Sequence, residues 1–246
     1  MRTLAAALGI SVVVPVVLAA QPASAVNFVY DSQSIGGNTR VGVHKSITTT
    51  FNPDSELLTW SSTFATNPKN GKLADGAWLV LSDGPNPKSH EQAYTMFYLD
   101  GVNENLTAYT YNGVNGSNSW KDSNSIFLGS WDLDVEENAA GDERTMAFSL
   151  DMTDINSRTD LGDKWEGTHF NDKVGIWFHG VESVNAAYNA DGSLKQFDYA
   201  SQGWYDTANR DTEAIPEPSA ALAMGVVAAA GFVRRKQLTA AKKSSQ

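Results

Sequence analysis

The side chains of this sequence best spaced for acid–base chemistry are three carboxylates at alternate positions. They lie in the stretch SWDLDVEEN, where Asp132, Asp134 and Glu136 are separated by single apolar residues. Because successive side chains of a β-strand point to opposite faces, a strand here would place all three carboxylates on one face. Two carboxyl groups about 5 Å apart can act as the nucleophile and the acid/base of a retaining glycosidase. Carboxylate oxygens are also the ligands that a structural Ca²⁺ prefers.

The carboxylate row is similar to the Glu-x-Asp-x-x-Glu pattern of laminarinase-like glycoside hydrolases, which are jelly-roll proteins. This resemblance implies glycoside hydrolysis as an alternative function, carried by the strand with Asp132, Asp134 and Glu136. The first position of the pattern is Asp132 here and not Glu, and a displaced attacking oxygen is costly for catalysis. We therefore interpret the row first as a solvated outer strand face, then as a cation site, and we predict that the protein is not an enzyme.

Aromatic side chains are the second group with a binding chemistry. The chain has 7 tryptophans, and exposed aromatic faces can stack on sugar rings. Trp120, in a polar loop, and Trp204, in SQGWYDTANRD, are the candidates for carbohydrate binding. Trp60, Trp78 and Trp177 lie in strand-like runs, so we expect them to be core residues.

Other classes of function are disfavoured by composition and motifs. The formal net charge is -10, which does not suit nucleic-acid binding, because phosphate contacts need clustered Lys and Arg. The chain has no cysteine and 4 scattered histidines, so disulfides, thiolate chemistry and a zinc-protease helix are not predicted. No nucleophile elbow, phosphate-binding loop or dinucleotide fingerprint occurs. We predict no cofactor beyond a possible structural Ca²⁺.

The elements that must position these residues are predicted to be strands. Runs such as AWLVLS, YTMFYLDG, LTAYTY, TMAFSLDM and KVGIWFHG follow a period of two and read as half-buried strands. Turn dipeptides separate them, and Asp191-Gly192 predicts a hairpin within YNADGSLKQFDY. Many short strands without helical periodicity predict an all-β, antiparallel β-sandwich. We expect a jelly roll of the concanavalin or laminin-G kind, with polar loops at its rim.

The N-terminal segment has the layout of a secretory signal peptide. Arg2 precedes an apolar run, and Ala23 and Ala25 fit a small-residue cleavage site. We predict a signal helix over residues 1–25 and cleavage by signal peptidase before Val26.

The C-terminal segment has three parts. Pro216 and Pro218 cannot continue a helix, and the run from Ser219 to Val233 contains no charge. Three basic residues follow, from Arg234 to Lys236, and such clusters stay on the cytoplasmic side of a membrane. The run is shorter than the roughly 20 residues of a full span, so we predict a short transmembrane helix at which an exported chain would halt with its domain outside.

This pattern resembles the PEP-CTERM sorting signal of bacterial exported proteins. The matching residues are Pro216, Glu217, Pro218, Ser219, Arg234, Arg235 and Lys236. The resemblance implies that the tail holds the precursor transiently in the inner membrane and that an exosortase protease then cleaves near the Pro-Glu-Pro motif. The released protein is expected to reach the cell surface or the extracellular polysaccharide matrix. The signal says nothing about the activity of the domain that it carries.

These observations give the expected organisation of the chain. Residues 1–25 are the signal peptide, 26–212 the β-sandwich domain, 213–237 the sorting signal and 238–246 a basic tail. The predicted role is non-catalytic, either a structural component of a biofilm matrix or a carbohydrate-binding protein. Besides glycoside hydrolysis, a structural domain without any ligand is the remaining alternative.

Overall fold

The protein is seen in a computed structural model that describes residues 26–31, 41–82, 92–113, 116–168, 173–203 and 213–214. More than half of these residues lie in strands, and their strands pair antiparallel, which confirms the all-β prediction. The strands are β1 (Val26–Asp31), β2 (Val43–Asn52), β3 (Leu57–Ala65), β4 (Gly76–Ser82), β5 (Thr95–Asp100), β6 (Asn105–Thr110), β7 (Phe127–Asp132), β8 (Asp134–Glu137), β9 (Glu143–Asp151), β10 (Lys173–Glu182), β11 (Asn185–Tyr188), β12 (Leu194–Asp198), β13 (Ser201–Gln202) and β14 (Glu213–Ala214). Two short helices are α1 (Gly116–Ser119) and α2 (Thr153–Asn156).

The strands form two main sheets and one separate hairpin. The first sheet has the order β1-β2-β3-β9-β8, and the second has the order β13-β10-β4-β5-β6-β7, with β14 also paired to β10. The chain passes between the sheets three times, after β3, after β7 and after β9. Strands β11 and β12 form the hairpin predicted around Asp191-Gly192, and Gly192 takes a positive φ of 86° in its turn.

One apolar core is built from both main sheets. Alternate residues of β2, β3 and β9 meet alternate residues of β4, β5, β6 and β10 in a single buried cluster. The Trp60 ring of the first sheet lies 5.3 Å from the Phe178 ring of the second, and the Phe97 and Phe148 rings are also 5.3 Å apart. The alternation of apolar and polar residues in TMAFSLDM therefore places Phe148 in the core, as predicted from the sequence.

A second buried cluster lies on the opposite face of the second sheet. Its aromatic members are Trp78, Tyr94, Tyr98, Tyr109, Tyr111, Trp177 and Phe197. Phe197 belongs to the β11–β12 hairpin, which covers this face together with the segment that follows α1. The prediction that these strands are half-buried was therefore wrong for β4, β5, most of β6 and residues 175–182 of β10, whose side chains are buried on both faces.

An arginine links the first sheet to the edge of the second. Arg144 of β9 donates from Nη1 to Asp75 Oδ1 at 2.8 Å and from Nε to Glu137 Oε1 at 3.0 Å. Asp75 directly precedes β4, and its Oδ2 accepts the backbone N–H of Ser183, the residue after β10, at 2.6 Å. These bonds fix β9, β8, β4 and β10 relative to one another at one end of the molecule.

No helix within the described ranges combines the length and the apolar character needed to cross a bilayer. The predicted signal helix over residues 1–25 and the predicted transmembrane helix after Ser219 lie outside the described residues.

Candidate functional site

The three predicted carboxylates lie where the chain passes from one sheet to the other. Asp132 is the last residue of β7 in the second sheet, and Asp134 is the first residue of β8 in the first sheet. Leu133 stands between the two strands and is 2% exposed. Its side chain belongs to the core shared by the sheets, and Trp131 and Val135 pack against that core. The prediction that the residues alternating with the carboxylates form an apolar face is thus confirmed.

The prediction that one strand carries Asp132, Asp134 and Glu136 is wrong. The strand ends at Asp132 because the buried Leu133 turns the chain towards the other sheet, so Asp132 pairs with Asn105 while Glu136 pairs with Thr145. Asp132 and Glu136 are exposed. Across the described ranges, no three His, Asp or Glu side chains are grouped closely enough to hold a metal ion. The single strand face on which the three carboxylates were expected is therefore not formed.

The two most buried carboxylates have structural partners. Asp100 is 1% exposed and accepts bonds from the Tyr188 hydroxyl at 2.8 Å and from Asn103 Nδ2 at 2.6 Å. Glu182 is 3% exposed and accepts from Lys72 Nζ at 3.2 Å. Asp100 therefore joins the β11–β12 hairpin to β5 through the Tyr188 hydroxyl. Glu182, the last residue of β10, forms an ion pair with Lys72. Both carboxylates therefore contribute to the fold at these positions.

The aromatic face of the second sheet is closed to solvent. Trp78 is fully buried and stacks on His179, with ring centroids 3.8 Å apart. The backbone N–H of Leu194 in the hairpin donates to the Tyr109 hydroxyl at 2.7 Å. Burial raises the pKa of the Tyr98 phenol well above its usual value. A polysaccharide cannot lie along this face without displacing the hairpin, so the described residues offer no open aromatic cleft here.

Trp120, the first carbohydrate candidate, sits at the border of this closed face. Its backbone N–H donates to the Tyr98 hydroxyl at 3.2 Å, and its ring is half-buried against the second cluster. Lys121 Nζ lies 5.2 Å from the centre of the Trp120 ring, within the range of a cation–π contact. Lys121 also lies 4.0 Å from Asp198 of the hairpin. A sugar that stacks on Trp120 must therefore move the Lys121 side chain away.

The sequence prediction for the other tryptophans is confirmed in part. Trp60, Trp78 and Trp177 are at most 3% exposed and belong to the two buried clusters. Trp204 lies outside the described residues, as do the sorting residues from Pro216 to Lys236.

The outer face of the first sheet is polar and carries hydroxyl groups, a feature that the sequence analysis did not single out. The Thr50 and Thr59 hydroxyls are 2.5 Å apart across β2 and β3, and those of Thr63 and Thr145 are 2.9 Å apart across β3 and β9. These side chains are half-buried, and Ser149 of β9 is exposed. The signal was present in the alternating hydroxyl residues of ITTTF and LTWSSTF. Each hydroxyl can donate and accept hydrogen bonds.

Comparison of the chain with protein families, with curated proteins and with solved structures found no match.

Proposed function

We propose that this chain is an exported PEP-CTERM protein that an exosortase processes and delivers to the cell surface or the extracellular polysaccharide matrix. The carrying observation is the C-terminal pattern: Pro216 to Ser219, an uncharged run, then Arg234 to Lys236. An apolar run that stops at a basic cluster halts an exported chain in the membrane with its basic end inside. The predicted signal peptide over residues 1–25 provides the export that this arrangement requires.

The positions of the described strands are compatible with this division of the chain. The first strand begins at Val26, directly after the predicted cleavage site, and pairs with β2 from its first residue. The last strand ends at Ala214, two residues before Pro216. Strands β1 to β13 therefore lie within the predicted domain, residues 26–212, and β14 lies in the first two residues of the predicted sorting signal, before the Pro216 motif.

The domain that is delivered is proposed to be a jelly-roll β-sandwich. Strands β3 and β9 are neighbours in the first sheet, and the strands that follow them, β4 and β10, are neighbours in the second sheet. Two antiparallel strands that cross together from sheet to sheet are a feature of Greek-key sandwiches. The ring contacts between Trp60 and Phe178, and between Phe97 and Phe148, support packing of the sheets face to face.

Within the matrix we assign this domain a non-catalytic role in which it contacts polysaccharide. The separation of Asp132, Asp134 and Glu136 onto two strands of different sheets favours this role over glycoside hydrolysis. Two surfaces are suited to sugar hydroxyls, namely the loop of Trp120 and Lys121 and the hydroxyl-bearing face of the first sheet. A uronic-acid polysaccharide would pair with Lys121 and release the Trp120 ring for stacking.

Export and processing are tested in a bacterium that has an exosortase, with the full chain expressed in cells with and without that protease. We expect a shorter form at the surface or in the medium of the first strain and a membrane-bound precursor in the second. A chain in which Pro216, Glu217 and Pro218 are all changed to Ala serves as the matched control and should remain membrane-bound. The proposal fails if the surface form is the same in both strains.

A further inference from the structure

The last described strand ends very close to the motif at which processing is proposed. β14 pairs antiparallel with the first two residues of β10, Lys173 opposite Ala214 and Val174 opposite Glu213. The pairing of β10 with β4 starts one residue later, at Gly175. Among the described residues, β14 is therefore paired with the first two residues of β10.

The chain length between β14 and the motif is one residue. Ile215 alone separates Ala214 from Pro216. Because Pro216 and Pro218 have no backbone N–H, the antiparallel ladder cannot continue through the motif. In the sequence, β14 and the motif at which processing is proposed are thus separated by a single residue.

A protease that binds its substrate by strand addition would use the same backbone groups that β14 uses. Extended peptides are commonly bound by strand addition, in which the main chain of the peptide hydrogen-bonds to the binding protein. Residues paired in one ladder cannot make these bonds in another at the same time.

We propose that β14 is a latch that controls release: while it is paired with β10, the backbone of Glu213 and Ala214 is held in the ladder and cannot be bound by the processing protease. Cleavage then takes place from the state in which β14 has detached, and its rate follows the population of that state. This inference rests on the proposed exosortase processing and adds to it a control by the folded domain. The latch lengthens the stage at which the domain remains anchored in the membrane.

The size of the effect follows from the size of the latch. A two-residue antiparallel pairing supplies one or two backbone hydrogen bonds, and bonds of this kind shift a local opening equilibrium by about tenfold. Permanent access to the motif should therefore speed processing by about tenfold, while the final processed product stays the same.

Two variants should give the protease access to the motif in different ways. Insertion of Gly-Ser-Gly-Ser between Ala214 and Ile215 leaves β14 in place and moves the motif away from it. Val174→Pro removes a backbone donor from the part of β10 that pairs with β14, and it spares the pairing of β10 with β4. The matched control carries the same four-residue insertion after Gln237, beyond the basic cluster, where the distance between β14 and the motif is unchanged.

The assay is a pulse-chase measurement of precursor and processed chain in cells with an exosortase. We expect the insertion after Ala214 and Val174→Pro to shorten the precursor half-life about tenfold, and the control insertion to match the parent. Precursor half-lives of both variants within twofold of the parent would overturn the latch while leaving processing itself established. A parent chain that is never processed in these cells would overturn the proposed function, and the latch with it.

Discussion

Removal of the Arg144 side chain is the perturbation whose cost can be worked out most directly from the structure. Its guanidinium bonds Asp75 before β4, Glu137 of β8 and the Ala74 carbonyl, at 2.8, 2.5 and 3.0 Å. Asp75 in turn accepts the backbone N–H of Ser183 after β10. Arg144→Met keeps much of the apolar stem and deletes the charge that joins these segments.

The expected loss of stability lies between the values for exposed and buried ion pairs. The Arg144 side chain is 17% exposed and that of Asp75 is 27% exposed. Breaking a fully buried pair costs about 3–5 kcal/mol, whereas an exposed pair is worth about 0–1 kcal/mol. Discounted for the remaining exposure, Arg144→Met should lower the free energy of unfolding by about 2 kcal/mol. For a domain of this size, such a loss lowers Tm by about 4–8 °C.

The chain contains a matched control for this experiment. Arg158 also forms two short bonds to one carboxylate, at 2.7 and 2.6 Å from Asp160, but Asp160 is 62% exposed and lies two residues away. Arg158→Met should therefore change the free energy of unfolding by less than about 0.5 kcal/mol. Urea unfolding followed by tryptophan fluorescence measures both variants. Equal losses for the two arginines, or a loss below about 0.5 kcal/mol for Arg144→Met, would refute a linking role for Arg144.

Two further predictions concern the buried phenols and the tryptophan loop. Burial raises the pKa of Tyr98, Tyr109 and Tyr188. The stability that these phenols contribute should therefore be fully present below their unfolded pKa of about 10 and be lost above it, because the unfolded phenols ionise first. Urea unfolding and phenolate absorbance, measured together against pH, check this, and ionisation of all tyrosines near pH 10 with the fold intact would contradict it. Trp120→Ala in the released protein should weaken binding to an acidic polysaccharide about fivefold in a glycan array, given the modest energy of aromatic stacking. The matched control is Trp131→Ala, whose ring packs on the core shared by the sheets, and equal effects of the two changes would remove Trp120 from the binding surface.

The strands were predicted well from local patterns, because the alternation of side chains in a strand and the residues of its turns can be read directly from the sequence. The alternation in TMAFSLDM gave β9, and Asp191-Gly192 gave the turn between β11 and β12, since both depend on neighbouring residues. The change of sheet at Leu133 was not predictable in this way. Its alternation with Trp131 and Val135 is the same whether the chain stays in one sheet or bends into the next.

The burial of the second sheet on both faces had a signal that was not used. In YTMFYLDG, Met96 and Tyr98 are apolar or aromatic, and so are Phe97 and Leu99 on the opposite face. Such two-sided apolar strands are typical of sheets that are covered on both faces. What covers the outer face could not be read from the strand itself, because the β11–β12 hairpin comes from about 90 residues later in the chain.

The candidate site was less predictable than the fold because it depends on distances across elements. The polar neighbours of Trp120 suggested an exposed ring, whereas its contact with the Tyr98 hydroxyl draws the segment onto the second sheet. The hydroxyl pairs on the first sheet, such as Thr63 with Thr145, require the register of β3 against β9, which no local pattern specifies.

The central claim is that the fold between Val26 and Ala214 is the part of the chain that reaches its destination, and the intact mass of the protein recovered from the cell surface or medium tests it most directly. We expect a chain that starts at Val26, ends close to the Pro216–Ser219 motif and lacks the apolar run after it. A recovered protein that still carries Arg234, Arg235 and Lys236, or a protein found only in the cytosol, would contradict the account.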